Sequence, residues 1–148
     1  MKRPYTIALV GGILLSLFSS ILLTITISIF PELTPPESSE VLNLFFGEEM
    51  NYVHYIAIAA LVLAVPIIEE IFFRRLLWRI SRYFVEADTT LIITSLLFAA
   101  AHMSILLGIV LLPLSFFLGW LRFRTDSIKP CIIAHAANNC VAVLIACA

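Results

Sequence analysis

Four long apolar runs, separated by short polar segments, make up most of this chain. They cover residues 5–30, 52–83, 89–121 and 131–148. A helix needs about 20 apolar residues to cross the hydrocarbon core of a bilayer. The first run is too long for the apolar core of a secretory signal, about 7–15 residues, so we expect it to be retained as a helix. The pattern predicts an all-α, polytopic transmembrane helix bundle.

The third run is too long to be a single spanning helix. At 1.5 Å per residue, residues 89–121 would extend about 48 Å, against a hydrocarbon core of about 30 Å. The least apolar point in this run is His102-Met103-Ser104, and we expect a tight hairpin there. The division gives about five transmembrane helices. A polar turn at residues 86–88 precedes the third, with Asp88 or Thr89 as its expected N-cap.

The composition agrees with an integral membrane protein. The chain is 61% hydrophobic and 13% charged, whereas roughly a quarter of residues are charged in soluble proteins. There is too little polar sequence for a second domain, so we expect residues 1–148 to form one membrane domain. A net charge of −1 provides no basic field for nucleic acid. The expected partner of the whole chain is the lipid bilayer.

The basic residues predict the orientation of the helices. All nine Lys and Arg residues fall within residues 1–4, 74–82 and 122–129. With five helices, these three segments lie on the same side of the membrane, and an excess of Lys and Arg marks the cytoplasmic side. We therefore expect a cytoplasmic N-terminus and an outward-facing acidic loop at residues 31–50, in which residues 42–46 lie on the membrane surface.

A few strongly polar side chains interrupt the apolar runs. They are Glu69, Glu70, Arg74, His102, His135, Asn138 and Asn139. Counted from the helix ends expected on the cytoplasmic side, Glu70 and Asn139 lie about 18 Å deep and His102 about 20 Å deep. Three helices therefore carry polar groups to a similar depth. Ionisable side chains within the membrane are costly and usually mark a functional site.

Helical spacing separates these side chains into pairs. Glu70 and Arg74 are four residues apart and are expected to form a structural ion pair. Glu69 points about 100° away from Glu70 and is left for another partner. His135 and Asn139 share a helix face. Asn138 lies off that face and is expected to bond to a neighbouring helix.

Two kinds of chemistry fit this set. In the first, Glu69 beside a histidine acts as a general base on water, while a second histidine and an asparagine donate hydrogen bonds to an oxyanion. In the second, Glu69, His102 and His135 bind Zn²⁺ and leave one position open for water. Both lead to hydrolysis of a peptide or another acyl bond, and the residue pattern does not choose between them.

Three motifs, in order along the chain, resemble those of a known family. EEIFFR at residues 69–74 resembles EExxxR, FAAAH at residues 98–102 resembles FxxxH, and HAANN at residues 135–139 resembles HxxxN. Together they are similar to the CPBP family of CAAX-protease and bacteriocin-processing intramembrane peptidases, also called Abi proteins. The resemblance covers about residues 60–145.

The resemblance implies a fold and an activity. It implies an intramembrane endopeptidase with a four-helix catalytic core, acting on a membrane-associated peptide or a prenylated CAAX protein. Glu69 and His102 would activate water, His135 and Asn139 would bind the oxyanion, and Glu70 and Arg74 would support the site. Family members are often described as metalloproteases, so the resemblance leaves two alternatives: catalysis with a bound Zn²⁺ and catalysis without a cofactor. This chain departs from the family in being short.

Two other functions are compatible with the same residues. One is a catalytically silent relative that acts as a bacteriocin immunity or membrane scaffold protein. The other is a small transporter in which the Glu and His side chains relay protons. A proton relay does not require an asparagine one turn after a histidine, so the pattern at His135 and Asn139 favours hydrolysis.

Overall fold

The structure is a computed structural model that describes residues 3–33 and 52–147. Within these ranges the chain is almost entirely helical and contains no β-strand. A short 3₁₀ turn at Pro31–Leu33 follows the first helix. The helices, numbered here in chain order, are α1 Arg3–Ile29, α2 Tyr52–Phe84, α3 Ala87–Ala100, α4 Ile105–Thr125 and α5 Lys129–Ala146.

The predicted all-α membrane bundle is confirmed. Within the described ranges, α1, α2, α4 and α5 are long and apolar enough to cross a membrane. The remaining helix, α3, is apolar but has 14 residues, which corresponds to about 21 Å. The break between α3 and α4 occurs at residues 101–104, where the polar triplet predicted it. Apart from Pro31–Leu33, the predicted outward loop at residues 31–50 lies outside the described residues.

Two predicted helix ends are wrong. The helix α4 continues beyond residue 121, where the apolar run ends, and stops at Thr125. Arg122 forms an ion pair with Asp126 one turn later, which favours helical spacing here. Asp126 itself has a φ of 49°, a left-handed conformation that Asp tolerates better than most residues. The N-cap of α3 is Glu86, without a side-chain cap bond, and not Asp88 or Thr89.

Small residues on α1 allow it to pack closely against α5. Ala8, Gly12, Ser16 and Ser19 are all buried along one face of α1. At Gly12 the backbones are so close that an added Cβ would lie 2.2 Å from the carbonyl oxygen of Ala134. Small residues permit this approach between membrane helices, where dispersion contacts replace the hydrophobic effect as the driving force. The backbone of α5 therefore packs directly against the backbone of α1.

The apolar core lies where α1, α4 and α5 meet. Its buried members are Ala8, Leu114, Leu118, Leu121, Cys131 and Ala134. In contrast, large apolar side chains on the outer faces of the helices are exposed, which suits contact with lipid. The core thus fixes α5 from two sides and leaves its third side facing α2 and α3.

The helix α2 is irregular at two places. Ala60–Ala64 and Ile71–Leu77 are π-helical, a conformation that is rare and often found at functional sites. In the first segment the Val65 N–H donates to the Ala60 carbonyl, and Pro66 has no N–H to donate. The Leu61 carbonyl is therefore left without either of its usual backbone donors. Glu69 and Glu70 lie between the two π segments.

Candidate active site

The four side chains predicted to be catalytic line one cavity. The cavity has a volume of about 430 Å³ and is formed by residues of α2, α4 and α5 together with the C-terminal end of α3. Its polar lining consists of Glu69, His102, His135 and Asn139. The other described residues that line it are apolar: Leu61, Val65, Phe98, Leu107, Leu111, Ala142, Val143 and Ala146. The polar side chains that were expected at a similar depth in the membrane therefore line the same cavity.

His135 lies between the two adjacent glutamates. Its Nδ1 is 3.1 Å from Oε1 of Glu70, and its Nε2 is 3.6 Å from Oε2 of Glu69. A carboxylate only accepts hydrogen bonds, so Nδ1 carries the proton toward Glu70. The Nε2 atom then faces Glu69 at the cavity wall. One imidazole on α5 thus contacts both members of the glutamate pair on α2.

The predicted ion pair between Glu70 and Arg74 is present. Arg74 Nη1 lies 3.4 Å from Glu70 Oε1, and both side chains are fully buried. Arg74 Nη2 also donates to the carbonyl and to the hydroxyl oxygen of Ser115, each at 2.9 Å. A buried charge is tolerated when it is paired and hydrogen-bonded. The guanidinium therefore joins Glu70 on α2 to the backbone of α4.

Ser115 is held in turn by α3. Its hydroxyl donates to the Ser95 carbonyl at 3.0 Å, and the Ser95 hydroxyl donates to the Ser115 carbonyl at 3.1 Å. This reciprocal pair fixes α3 against α4 directly beside Arg74. The sequence reasoning missed both serines because it considered only ionisable and amide side chains. Both serines lie within an otherwise apolar run, and this position was the feature of the sequence that could have indicated their role.

Phe98 packs among the charged and aromatic groups of the site. It is fully buried, and its ring centroid is 5.2 Å from that of His102 and 5.6 Å from that of His135. The Arg74 guanidinium carbon lies 4.5 Å from the same ring centroid, within the range of a cation–π contact. Phe98 was noted in the sequence only as the first residue of a motif. In the structure it separates the two imidazoles and covers the arginine.

His102 is oriented by the end of its own helix. The last turn of α3 tightens, and the His102 N–H bonds to the Ala99 carbonyl. This leaves the Phe98 carbonyl to accept from His102 Nδ1 at 3.0 Å. Since a carbonyl cannot donate, Nδ1 carries the proton, and Nε2 of the neutral ring has a free lone pair. His102 is therefore arranged as a proton acceptor at the cavity.

Asn139 bonds to the irregular part of α2. Its Nδ2 donates to the Leu61 carbonyl at 3.0 Å, the same carbonyl that the π segment and Pro66 leave free. The prediction for Asn138 is wrong: its Nδ2 donates to Asn139 Oδ1 at 3.3 Å on the same helix. The reason is that Asn139, and not Asn138, faces the free carbonyl on α2. The two adjacent amides act together to join α5 to α2.

A zinc site at Glu69, His102 and His135 was one of the two alternatives that the sequence left open. Within residues 3–33 and 52–147, no three His, Cys, Asp or Glu side chains come together as they would to hold a metal ion. His102 and His135 each bond through Nδ1 to a protein oxygen, which leaves Nε2 of each ring available, an arrangement that histidine ligands of a metal also have. The same Nε2 atoms are the ones available for proton transfer by side chains.

The fold and the cavity define an α-helical integral membrane protein that gathers carboxylates and imidazoles inside its bundle. The model of the type II CAAX prenyl endopeptidase Rce1-like family matches residues 51–141, and the chain belongs to this family. No curated protein and no solved structure matches the chain. The match contains α2, α3, α4 and most of α5, with all three sequence motifs, and confirms the expected CAAX-protease relationship. The helix α1 lies outside it.

Proposed function

We propose that this protein is an intramembrane endopeptidase that cleaves a membrane-associated, CAAX-type prenylated protein. The observation that supports this best is the cavity that brings Glu69, His102, His135 and Asn139 together among apolar walls. Family membership supports the same reaction class. A peptide bond and a neighbouring apolar or prenylated segment are the groups that such a mixed cavity suits.

Water activation is assigned to Glu69 and His102. Glu69 has 26% of its side chain exposed, whereas Glu70 is fully buried, so Glu69 is the glutamate that water reaches. We assign it as the general base that takes a proton from water as the water oxygen bonds to the peptide carbonyl carbon. His102 accepts the other water hydrogen in a hydrogen bond and orients the attack. The proton then passes to the leaving amine as the C–N bond breaks.

Stabilisation of the oxyanion is assigned to His135 and Asn139. His135 already donates from Nδ1 to Glu70, so it donates from Nε2 only when the ring carries both protons. Asn139 uses one of its two Nδ2 hydrogens for the Leu61 carbonyl, which leaves the second for the substrate. Donors held in place before the reaction stabilise developing charge without reorganisation.

Substrate binding is assigned to the apolar wall formed by α4 and α5. The apolar lining of the cavity includes two leucines of α4 and three small or branched residues of α5: Leu107, Leu111, Ala142, Val143 and Ala146. This wall suits an isoprenoid chain or apolar residues next to the cleaved bond, since their burial is favourable by about 25 cal/mol per Å². Glu69 and His102 line the same cavity as these apolar side chains.

A cleavage assay with purified protein tests this function. The substrates are a farnesylated CAAX peptide and the same peptide without the lipid, and the variants are Glu69→Gln and Glu32→Gln. We expect the wild type and Glu32→Gln, which changes an exposed glutamate, to cleave the farnesylated peptide. General-base catalysis is typically worth about 10²–10⁴-fold, so Glu69→Gln should lose at least that factor while keeping its elution profile.

Two results would contradict the proposal. Cleavage by Glu69→Gln at the wild-type rate would remove the glutamate from the mechanism. Binding of the farnesylated peptide without cleavage by any form would instead favour a catalytically silent relative that acts as an immunity or scaffold protein.

A further inference from the structure

A second pocket, lined mainly by arginines, lies at the C-terminal ends of α2 and α4. Its volume is about 410 Å³. In the described part of the chain it is lined by Arg75, Trp78, Arg79, Arg82, Arg122 and Asp126. These residues differ from those of the candidate active site, and neither the proposed reaction nor the family match gives this pocket a role.

The inner wall of the pocket is formed by Trp78 and Arg122, which contact each other. Trp78 is buried, and the Arg122 guanidinium carbon lies 5.5 Å from the centroid of its ring system. Arg122 Nε donates to the Arg74 carbonyl at 2.9 Å. That carbonyl lies in the second π segment, where the Trp78 N–H bonds to Phe73 and Arg75 instead. Arg122 is therefore held in one orientation by both its stacking and its hydrogen bond.

The outer wall carries positive charge with little compensation. Arg75 and Arg79 are exposed, and among the described residues neither forms an ion pair. Arg82 lies 3.7 Å from Glu86, whose side chain is 93% exposed, and such surface pairs contribute little. Even when Asp126 and Glu86 are both counted against the four arginines, the pocket keeps a surplus of two positive charges.

An apolar groove adjoins the arginines. It has a volume of about 290 Å³ and is lined by Leu76, Ile80, Tyr83 and Phe84, together with Arg79, which also lines the arginine pocket. All four apolar side chains are exposed. With 33 residues, α2 is about 50 Å long, against a hydrocarbon core of about 30 Å. Because arginine side chains favour the interface over the hydrocarbon core, we place the excess length at the basic end of α2, in the interfacial region where headgroups and the upper parts of acyl chains lie.

We propose that this pocket binds the headgroup of an anionic phospholipid, with an acyl chain lying in the groove beside it. Guanidinium groups bind phosphate through paired hydrogen bonds, and a basic pocket between membrane helices suits an anionic headgroup. The adjoining apolar groove favours a lipid over a soluble phosphate. The bound headgroup bridges α2 and α4 behind the Glu70–Arg74 pair.

Thermal unfolding of the purified full chain in a neutral detergent tests this site. Phosphatidylglycerol, phosphatidylcholine and glycerol 3-phosphate are added separately at equal concentrations. We expect phosphatidylglycerol to raise the Tm of the wild type and the other two to leave it unchanged. The double variant Arg75→Gln/Arg79→Gln should lose the shift. Arg124→Gln, which removes an exposed arginine outside the pocket, should keep it.

Native mass spectrometry supplies an independent measurement of binding. Each basic residue near an anionic surface contributes about a fivefold factor to affinity, so the double variant should bind phosphatidylglycerol about thirtyfold more weakly. The single variant Arg79→Gln should bind phosphatidylglycerol with an affinity between those of the wild type and the double variant. It replaces the double variant in the test if the double variant does not fold. If Arg124→Gln weakened phosphatidylglycerol binding equally, the proposal would be overturned, because the result would show only a general attraction between basic residues and anionic lipid. An equal effect of phosphatidylcholine or of glycerol 3-phosphate would also overturn the proposal.

Discussion

Glu70 Oε1 lies 3.1 Å from Nδ1 of His135 and 3.4 Å from Nη1 of Arg74. A single buried carboxylate oxygen therefore contacts a cation on its own helix and an imidazole on α5. Because Arg74 also bonds to Ser115 on α4, and Ser115 to Ser95 on α3, four helices meet through one polar chain. Glu69, the neighbour of Glu70, is thereby left at the edge of the cavity, where it reaches His135 Nε2.

The first prediction concerns the charge of Arg74. In Arg74→Ala, Glu70 loses its cation and stays buried, and breaking a buried ion pair by removing one partner typically costs about 3–5 kcal/mol. We expect a clearly lower Tm in detergent and a poor yield of folded protein. Arg124→Ala, which removes an exposed arginine, is the control and should unfold like the wild type. An Arg74→Ala protein with the wild-type Tm would refute the structural role of the pair.

The second prediction concerns the hydroxyl of Ser115. Ser115→Ala removes one acceptor for Arg74 and the donor to the Ser95 carbonyl, while the Ser115 carbonyl still accepts from Arg74. The lost hydrogen bonds correspond to about 1–3 kcal/mol, so the Tm should fall by less than in Arg74→Ala. Ser28→Ala removes an exposed hydroxyl that bonds only within α1 and should change little. Equal Tm values for the two serine variants would show that the Ser115 hydroxyl does not hold the arginine.

The third prediction separates the two adjacent asparagines. Loss of one oxyanion donor typically lowers kcat by about 10²–10³-fold, and we expect a loss of this size in Asn139→Ala, measured with the farnesylated peptide. Asn138→Ala removes only a bond to Asn139 Oδ1 and should retain much more activity, with a similar KM. If both variants lost activity equally, the amides would matter for helix packing and not for the oxyanion.

The fourth prediction uses two glycines as a matched pair. In Gly12→Ala the new Cβ would meet the Ala134 carbonyl oxygen at 2.2 Å, so α1 or α5 must shift. Overpacking of this kind typically costs about 1–3 kcal/mol, and since Ala134 precedes His135, activity should fall together with the Tm. In Gly108→Ala the nearest atom, the Ala99 carbonyl oxygen, is 3.6 Å away. That variant should fold normally, with a Tm equal to or above that of the wild type.

The fifth prediction concerns orientation, which follows from the distribution of Lys and Arg. Single cysteines at Ser38 and Asp126 are introduced into a chain whose native cysteines are replaced by alanine. A membrane-impermeant thiol reagent added to intact cells should label position 38 and not position 126. Both positions should react after the membrane is permeabilised. Labelling of position 126 alone in intact cells would reverse the orientation.

Spacing along the chain was enough to predict the parts of the structure that depend on local geometry. The lengths of the apolar runs predicted the helices, because each must span or nearly span the hydrocarbon core. The excessive length of the third run predicted the break near His102. The spacing of four residues predicted the contact between Glu70 and Arg74, since residues one turn apart lie on the same helix face.

Which helix each polar group contacts depends on how the helices pack against one another. Arg74 bonds to Ser115 because α2 packs against α4 at that height. Three side chains bond to backbone carbonyls: Asn139 to that of Leu61, His102 to that of Phe98, and Arg122 to that of Arg74. Each of these carbonyls lies in an irregular turn. Periodicity assumes regular helices, in which such carbonyls are already bonded within the helix. The irregular turns and the rotation of each helix depend on contacts between helices, such as Gly12 against Ala134, so spacing along one helix could not predict them.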